Sequence, residues 1–185
     1  MAESLAHISQ HGVFPPDHDS KEDRNSVSAC PVPNDVIEKQ KSKVQAWPGK
    51  KALEDKRLCI LDGFLMYPES MSQIQPYLSL KLFVRTTHAR CKQRREARDG
   101  YATVEGWWVD PPGYVDKIVW PNYVQDHGFM FEYGDVEGHY KREVLDKEGI
   151  ETIQEEKEGD MVEMLKWVVD EVMAAVDKEA KERSA

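Results

Sequence analysis

The chain has 185 residues, a length typical of one domain, and 40% of them are apolar, so a hydrophobic core can form. A formal net charge of -9 argues against bulk binding to nucleic acid or to an anionic membrane. No apolar run approaches the roughly 18 residues that a membrane span needs, and the start of the chain lacks the pattern of a secretory signal. Three cysteines without CxxC spacing fit a reducing compartment, so we expect a cytoplasmic protein.

The first part of the chain predicts two helices with an exposed segment between them. Residues 1–12 favour a short helix, and residues 35–47 favour a second one with Asn34 as its cap. The segment 13–35 is rich in Pro, Asp, Ser and Asn, which predicts an exposed or disordered loop.

The rest of the chain carries the pattern of an α/β sheet. The apolar runs Arg57–Asp62 and Leu80–Val84 suit strands buried on both faces, and a further short strand is expected near 150–153. Residues 99–123 hold Gly, Pro and aromatic residues without periodicity, which predicts a long functional loop. Alternating strands and helices favour a mainly parallel sheet covered by helices, with ligands at the carboxyl ends of the strands.

A final helix is predicted to begin after Asp160, which can cap it. Apolar side chains recur along it at helical spacing and predict a face packed on the core: Met161, Met164, Leu165, Val168, Val172 and Val176. The charged tail 178–185 is predicted to fray.

The segment from Lys81 to Arg98 is strongly basic, with seven basic residues against one acidic residue. Thr86 or Thr87 can cap a helix here, and three of the arginines would share one face of it, namely Arg90, Arg94 and Arg98. Guanidinium groups match phosphate oxygens, so the row predicts a polyphosphate clamp. A solvated helix face, or ion pairs with the acidic remainder of the chain, explains the same charge equally well.

Two other features could take part in chemistry. Asp62, at the end of a predicted strand, can hold Mg²⁺ through water or orient an attacking group, or it can merely cap an Asp-Gly turn. The segment Asp110–Tyr123 combines rigid prolines with Tyr114, Trp120 and Tyr123, which suits a loop that covers a planar ligand but also an ordinary packed loop. The histidines have no metal-binding spacing, and we predict no metal site from this sequence.

Several strings resemble the nicotinamide riboside kinases. They are RCKQRREAR at Arg90–Arg98, DPPGYVD at Asp110–Asp116 and VWPNY at Val119–Tyr123. The Arg-Asp-Gly-Tyr after the first string is similar to the fungal members, and CILDGF at Cys59–Phe64 resembles a family strand that ends in an acid.

The resemblance, which covers residues 57–176 well, implies ATP-dependent phosphorylation of the 5′-hydroxyl of nicotinamide riboside or a similar nucleoside, feeding NAD synthesis. It implies a P-loop three-layer α/β sandwich, a helix whose arginines close over the phosphates, and Mg²⁺ as a cofactor. Mapped onto this chain, the family's site residues are Asp62 at the acidic catalytic position, Arg94 and Arg98 on ATP, and Arg95 on the substrate. We expect Tyr114 and Trp120 to lie on the substrate side as well.

The sequence departs from that family where phosphate is bound. It contains no GxxxxGK[ST] loop, since Trp47–Lys51 has a Gly-Lys but neither the earlier Gly nor a following Ser or Thr. The family's Asp-Asp motif has no counterpart either. We therefore expect an N-terminally truncated fold without its central strand, with unpaired edges, a tendency to aggregate and little activity.

The expected organisation is a loosely ordered region 1–56, a kinase-like core 57–177 and the charged tail. The core would contain a lid helix at 87–98 and a nucleoside-covering loop at 99–123. Two other functions remain open at this point: a non-catalytic nucleotide-binding or partner-binding remnant of a kinase, and a uridine kinase-like enzyme. The sequence carries no signal for the oligomeric state.

Overall fold

The computed structural model describes residues 1–19, 21, 24–25, 29–54, 56–103 and 105–183. The chain divides into two compact units that alternate along the sequence. The first unit comprises Met1–Ser28, Phe64–Tyr77 and Thr86–Glu148, and the second comprises Ala29–Gly63, Leu78–Arg85 and Gly149–Ala185.

Helices dominate the described residues, and the strands are short. In chain order the elements are α1 (Ala2–His11), α2 (Asn34–Ala46), β1 (Lys81–Phe83), α3 (His88–Glu96), β2 (Tyr101–Thr103), β3 (Gly106–Trp108), α4 (Trp120–His127), α5 (Arg142–Glu148), β4 (Ile150–Thr152) and α6 (Met161–Glu182). A π-helical turn, Val115–Val119, leads into α4. Short 3₁₀ helices lie at Pro48–Leu53, Glu69–Tyr77, Gly128–Met130, Glu132–Gly134 and Glu155–Lys157.

The first unit is built around a small core that is contributed mainly by residues after position 110. Its largest fully buried side chains are Phe131, Ile74, Met130, Leu145, His127 and Val115. The predicted first helix is confirmed: α1 ends at Gly12, whose φ of +65° places it in the left-handed region that favours glycine. The loop predicted over 13–35 lies partly outside the described residues.

The structure corrects the prediction of a long loop at 99–123, because this segment folds into a hairpin and a helix. Strands β2 and β3 pair antiparallel, with Tyr101 opposite Trp108 and Thr103 opposite Gly106. Aromatic residues favour strands. Gly100 and Gly106 have φ of +123° and +130°, which only glycine adopts easily. The hairpin is therefore encoded locally, although its short strands show no clear period in the sequence.

The second unit contains a parallel strand pair. Lys81 of β1 lies opposite Ile150 of β4, and Phe83 lies opposite Thr152. The strands predicted at Leu80–Val84 and near 150–153 are thus confirmed, with narrower bounds. The α/β class is confirmed to the extent that the chain combines helices with a parallel strand pair. Within the described part of the chain, the parallel sheet has these two strands.

The strand predicted at Arg57–Asp62 is wrong. The segment has no ladder partner, and Leu58 and Ile60 are 63% and 83% exposed. An apolar run becomes a strand only when a neighbouring strand satisfies its N–H and C=O groups and covers its side chains. No described segment pairs with this run. Its apolar composition was therefore not sufficient to make it a strand.

Helices α2 and α6 form the helical part of the second unit. Pro33, not Asn34, occupies the N-cap position of α2, because its fixed φ of -59° suits the extended entry to the helix. The helix ends at Ala46, and the following Trp47 is buried with its Nε1 donating to Asp177 of α6 at 3.1 Å. This hydrogen bond joins two helices that are far apart in sequence.

The final helix begins as predicted, since the Asp160 carboxylate accepts hydrogen bonds from the backbone N–H groups of Val162 and Glu163 at 2.8 and 3.1 Å. Its apolar face is only partly covered: Val176 is buried and Met161 is exposed. The helix continues to Glu182, so the predicted fraying from residue 178 does not appear in the described residues. None of the described helices has the length and apolar character to cross a membrane.

Candidate active site

The arginine-rich helix α3 lies in the first unit and begins as the sequence predicts. The Thr87 hydroxyl accepts a hydrogen bond from the Arg90 N–H at 3.3 Å. The helix ends at Glu96, two residues before the predicted end, so Arg98 lies just beyond it. The side chains of the arginine row are exposed and make no ion pair with the described residues: Arg90, Arg94 and Arg98.

A second group of side chains on α3 is held by internal partners. Lys92 forms an ion pair with Asp116, and the Nε2 of His88 lies 2.9 Å from the other oxygen of that carboxylate. The hydrogen bond from Lys92 lowers the pKa of Asp116 below its usual value. The backbone N–H of His88 donates to Glu137 at 3.0 Å. These contacts fasten the start of α3 to the segments that follow it.

Arg95 makes the strongest polar contact of the helix. Its Nε donates to Asp110 Oδ2 at 2.8 Å and its Nη2 donates to Oδ1 at 3.1 Å, which forms a bidentate pair. Nη2 also donates to the Tyr101 hydroxyl at 3.2 Å. The side chains of Arg95 and Asp110 are 19% and 13% exposed, so this pair is far less screened by water than a surface ion pair.

Aromatic rings surround the Arg95 guanidinium. Its central carbon lies 5.7 Å from the ring centre of Tyr101 and 6.0 Å from that of Tyr114, within the range of cation–π attraction. Trp108 lies beside Tyr114 with ring centres 6.0 Å apart, and its Nε1 donates to Asp110 at 3.0 Å. The result is a charged pair with flat aromatic rings around it.

Asp110 connects the helix, the hairpin and the proline loop. Burial alone would raise the pKa of its carboxyl, but hydrogen bonds from Arg95 and Trp108 outweigh burial and lower it below the usual value. The carboxylate is therefore ionised at neutral pH and remains a full acceptor for both donors.

Trp120 is part of a different row of rings. It meets the edge of His88 at 5.0 Å and tilts against Tyr123 at 5.1 Å, and Tyr123 stacks on His127 at 4.5 Å. His127 is fully buried, with Nδ1 3.0 Å from the carbonyl oxygen of Tyr123. Burial lowers the pKa of His127, so the ring is neutral at neutral pH.

Asp62 lies in the second unit, apart from the sequence segments that form the arginine site. It is exposed, follows a segment that is not a strand, and makes no hydrogen bond with the described residues. No group of three or more His, Cys, Asp or Glu side chains in the described part of the chain could hold a metal ion. The structure thus brings Arg95 and Tyr114 together and adds nothing that ties Asp62 to them.

Sequence reasoning missed three members of this site: Tyr101, Trp108 and Asp110. Asp110 stood in the DPPGYVD string, 15 residues after Arg95, but nothing in the sequence selects Arg95 among the arginines as its partner. Tyr101 and Trp108 could have been found from the Gly-bounded aromatic pattern of a hairpin.

Comparison with known proteins places the chain in a family. A nicotinamide riboside kinase of Schizosaccharomyces pombe is 36% identical over 146 residues, which cover 78% of this chain and 58% of that protein. The chain belongs to the nicotinamide riboside kinase family. A nicotinamide riboside kinase of Saccharomyces cerevisiae is 33% identical over 138 residues, covering 70% of the chain and 55% of that protein. Human nicotinamide riboside kinase 2 is 34% identical over 106 residues, covering 54% and 42%.

The match to the nicotinamide riboside kinases is partial in length. The chain spans about half the length of the curated relatives it matches. No protein-family profile matches the chain, and no solved structure matches it. The resemblance predicted from the arginine and DPPGYVD strings is confirmed at the level of the family.

Proposed function

We propose that this protein takes part in the ATP-dependent phosphorylation of a nucleoside, with nicotinamide riboside as the substrate and nicotinamide mononucleotide as the product. The 185-residue sequence would supply the lid helix and the substrate side of the site. Because it contains no GxxxxGK[ST] loop, we propose that it transfers phosphate very slowly by itself.

The observation that carries this proposal is the Arg95–Asp110 pair within its aromatic rings. The half-buried Arg95 guanidinium is neutralised by Asp110, and the rings of Tyr101 and Tyr114 beside it offer flat aromatic faces that suit a planar nucleoside, including one with a cationic ring. The relatives that share this region are named nicotinamide riboside kinases. Both considerations favour the nucleoside side of a kinase over an ordinary ion pair.

The phosphate side of the proposal rests on Arg94 and Arg98. Their exposed guanidinium groups make no ion pair with the described residues, so they can meet ATP phosphates without losing one. Mg²⁺, which the family implies, finds no set of three acidic or His ligands in the described chain. The described residues alone therefore do not make up a three-ligand metal site.

Membership of the family supports several further proposals. The P-loop three-layer sandwich, the cytoplasmic location and a catalytic role for Asp62 are proposals that follow from the family. The division into 1–56, 57–177 and 178–185 is a further proposal.

Binding and turnover of the purified chain test the proposed function together. We expect saturable binding of nicotinamide riboside in calorimetric titration, weaker binding of uridine, and product formation far below the 1–100 s⁻¹ typical of kinases. Equal binding of uridine would favour a uridine kinase-like enzyme. Binding of ATP without any nucleoside binding would favour a non-catalytic remnant, and binding of neither would contradict the proposal.

Paired substitutions test the phosphate side. We expect Arg94→Ala with Arg98→Ala to weaken ATP binding by about tenfold, since each removes a charge-assisted contact. Arg183→Ala is the control for general charge, because it removes an exposed guanidinium just beyond the end of α6. An equal loss of affinity in the control would show that only general charge is being measured.

A further inference from the structure

The Arg95 side chain has more donors than its partners use. A guanidinium carries five N–H donors: one on Nε and two on each terminal nitrogen. Asp110 takes the Nε donor and one from Nη2, and Tyr101 lies within reach of the other Nη2 donor. Within the described part of the chain, Nη1 has no hydrogen-bond acceptor.

From this geometry we propose that Asp110 is the positioning residue for Arg95, and that Arg95 meets its ligand only through the Nη1 amino group. The proposal rests on the proposed nucleoside-binding function and deepens it. It assigns a role to a carboxylate that touches no reacting atom and acts through the arginine beside it.

The bidentate contact fixes the orientation of the guanidinium. Two parallel hydrogen bonds define both the plane of the group and its rotation, whereas a single bond would leave the plane free to turn. Trp108 holds the same carboxylate from the hairpin through a third hydrogen bond, which limits the movement of Asp110 itself. The side of Arg95 that carries Nε is therefore closed to any ligand.

Because Asp110 holds the Nε side of the Arg95 guanidinium, the Nη1 amino group on the other side is left in a fixed orientation for a ligand. The Nη1 amino group can donate two hydrogen bonds in the guanidinium plane, whose central carbon lies 5.7 and 6.0 Å from the ring centres of Tyr101 and Tyr114. An oxygen acceptor of the ligand, on a phosphate or on the nucleoside, suits these donors. A ligand that needed a bidentate grip through Nε would have to displace Asp110, which the charge and hydrogen bonds of the pair oppose.

The experiment combines calorimetric titration with a double-mutant cycle. The probes are nicotinamide riboside, which has no phosphate, and inorganic pyrophosphate, which has no nucleoside. We expect Asp110→Asn to weaken binding of one probe by about tenfold, and to have no further effect when Arg95 is already Ala. The probe that responds identifies the oxygen that Nη1 recognises. Asp110→Glu should restore part of the affinity, and Asp99→Asn, an exposed neighbour, should leave it unchanged.

Magnetic resonance of the unchanged protein gives a second measurement that does not depend on how the variants fold. The Arg95 Nε–H signal should be protected from exchange before and after ligand addition, and the terminal N–H signals should shift. Loss of the Nε–H protection on binding would mean that the ligand displaces Asp110, and would overturn the proposal.

The remaining outcomes separate the inference from the proposed function. If Asp110→Asn lowers the melting temperature but leaves the affinity for both probes unchanged, Asp110 is merely structural and the inference fails alone. If the unchanged protein binds neither nicotinamide riboside nor ATP, the proposed function is wrong, and the inference, which rests on it, is wrong as well.

Discussion

Two adjacent arginines on α3 have opposite surroundings. Arg94 is exposed without an ion pair in the described chain, while Arg95 is largely buried in a bidentate pair with Asp110. The helical period separates their directions by about 100°, so one faces water and the other faces the hairpin and proline loop. The arginines of this cluster look equivalent in the sequence. In the structure, Arg94 is solvated and Arg95 has a structural role.

This division predicts different stabilities for two matched variants. Arg95→Ala should lower the free energy of unfolding by about 2–4 kcal/mol, because it leaves the Asp110 carboxylate partly buried without its charged partner. Arg94→Ala, on the same helix, should change it by less than about 0.5 kcal/mol. Urea denaturation followed by tryptophan fluorescence measures both. Equal effects would contradict the structural role of the pair.

His127 predicts a pH dependence of stability. Its burial lowers the pKa of the folded state below the ordinary value of about 6.5. As the pH falls below that value, the unfolded chain binds a proton that the folded ring resists, so the free energy of unfolding decreases. Urea midpoints between about pH 7.5 and about pH 5.5 should fall in the unchanged protein and fall less in His127→Gln. His11→Gln, at an exposed position, should keep the full slope.

At the scale of elements, the β2–β3 hairpin depends on two glycines with different surroundings. A Cβ at Gly100 would lie 2.4 Å from the Trp107 ring and 2.6 Å from the Trp108 carbonyl oxygen. A Cβ at Gly106 would meet nothing within 4 Å, although both residues have positive φ. Substitution of Gly106 therefore introduces backbone strain alone, whereas substitution of Gly100 introduces both strain and steric overlap.

Substituting each glycine by alanine tests the packing of the hairpin. Gly106→Ala should cost about 1–2 kcal/mol from backbone strain alone, whereas Gly100→Ala should cost more and disturb the indole environment. Melting temperature and near-ultraviolet circular dichroism measure the two effects. A larger loss in Gly106→Ala would show that the rings do not pack on Gly100 as described.

At the scale of the whole molecule, the second unit leaves an apolar segment uncovered. Leu58 and Ile60 are exposed in a stretch that pairs with no strand among the described residues. Such a stretch offers apolar side chains to other molecules. It is therefore the first place where we expect copies of the chain to associate.

A single charge should reduce that association. Ile60→Lys should raise the concentration at which light scattering detects aggregates, because lysine on an unpaired edge opposes further pairing. Val13→Lys, which also adds a charge at an exposed valine, is the control and should have a smaller effect. If both variants improve solubility equally, net charge rather than this segment limits it.

Several parts of the fold could be predicted because their signals are local. Glycine and carboxylate caps, together with apolar spacing, identified α1 and α6, the apolar run Leu80–Val84 identified β1, and the short strand expected near 150–153 is β4. The arginine and DPPGYVD strings identified the family, which the curated relatives confirm. Local order and recognisable strings depend only on neighbouring residues, so the sequence by itself determined them.

Tertiary structure decided the rest, because the remaining features need partners from distant segments. Whether Arg57–Asp62 is a strand depends on a neighbour that can pair with it, and no described segment does so. Which arginine is free for a ligand depends on where Asp110 and the hairpin lie, and only the folded chain places them beside Arg95. The charge or apolarity of a residue limits the interactions that it can make. Its neighbours in the folded chain determine which of those interactions form.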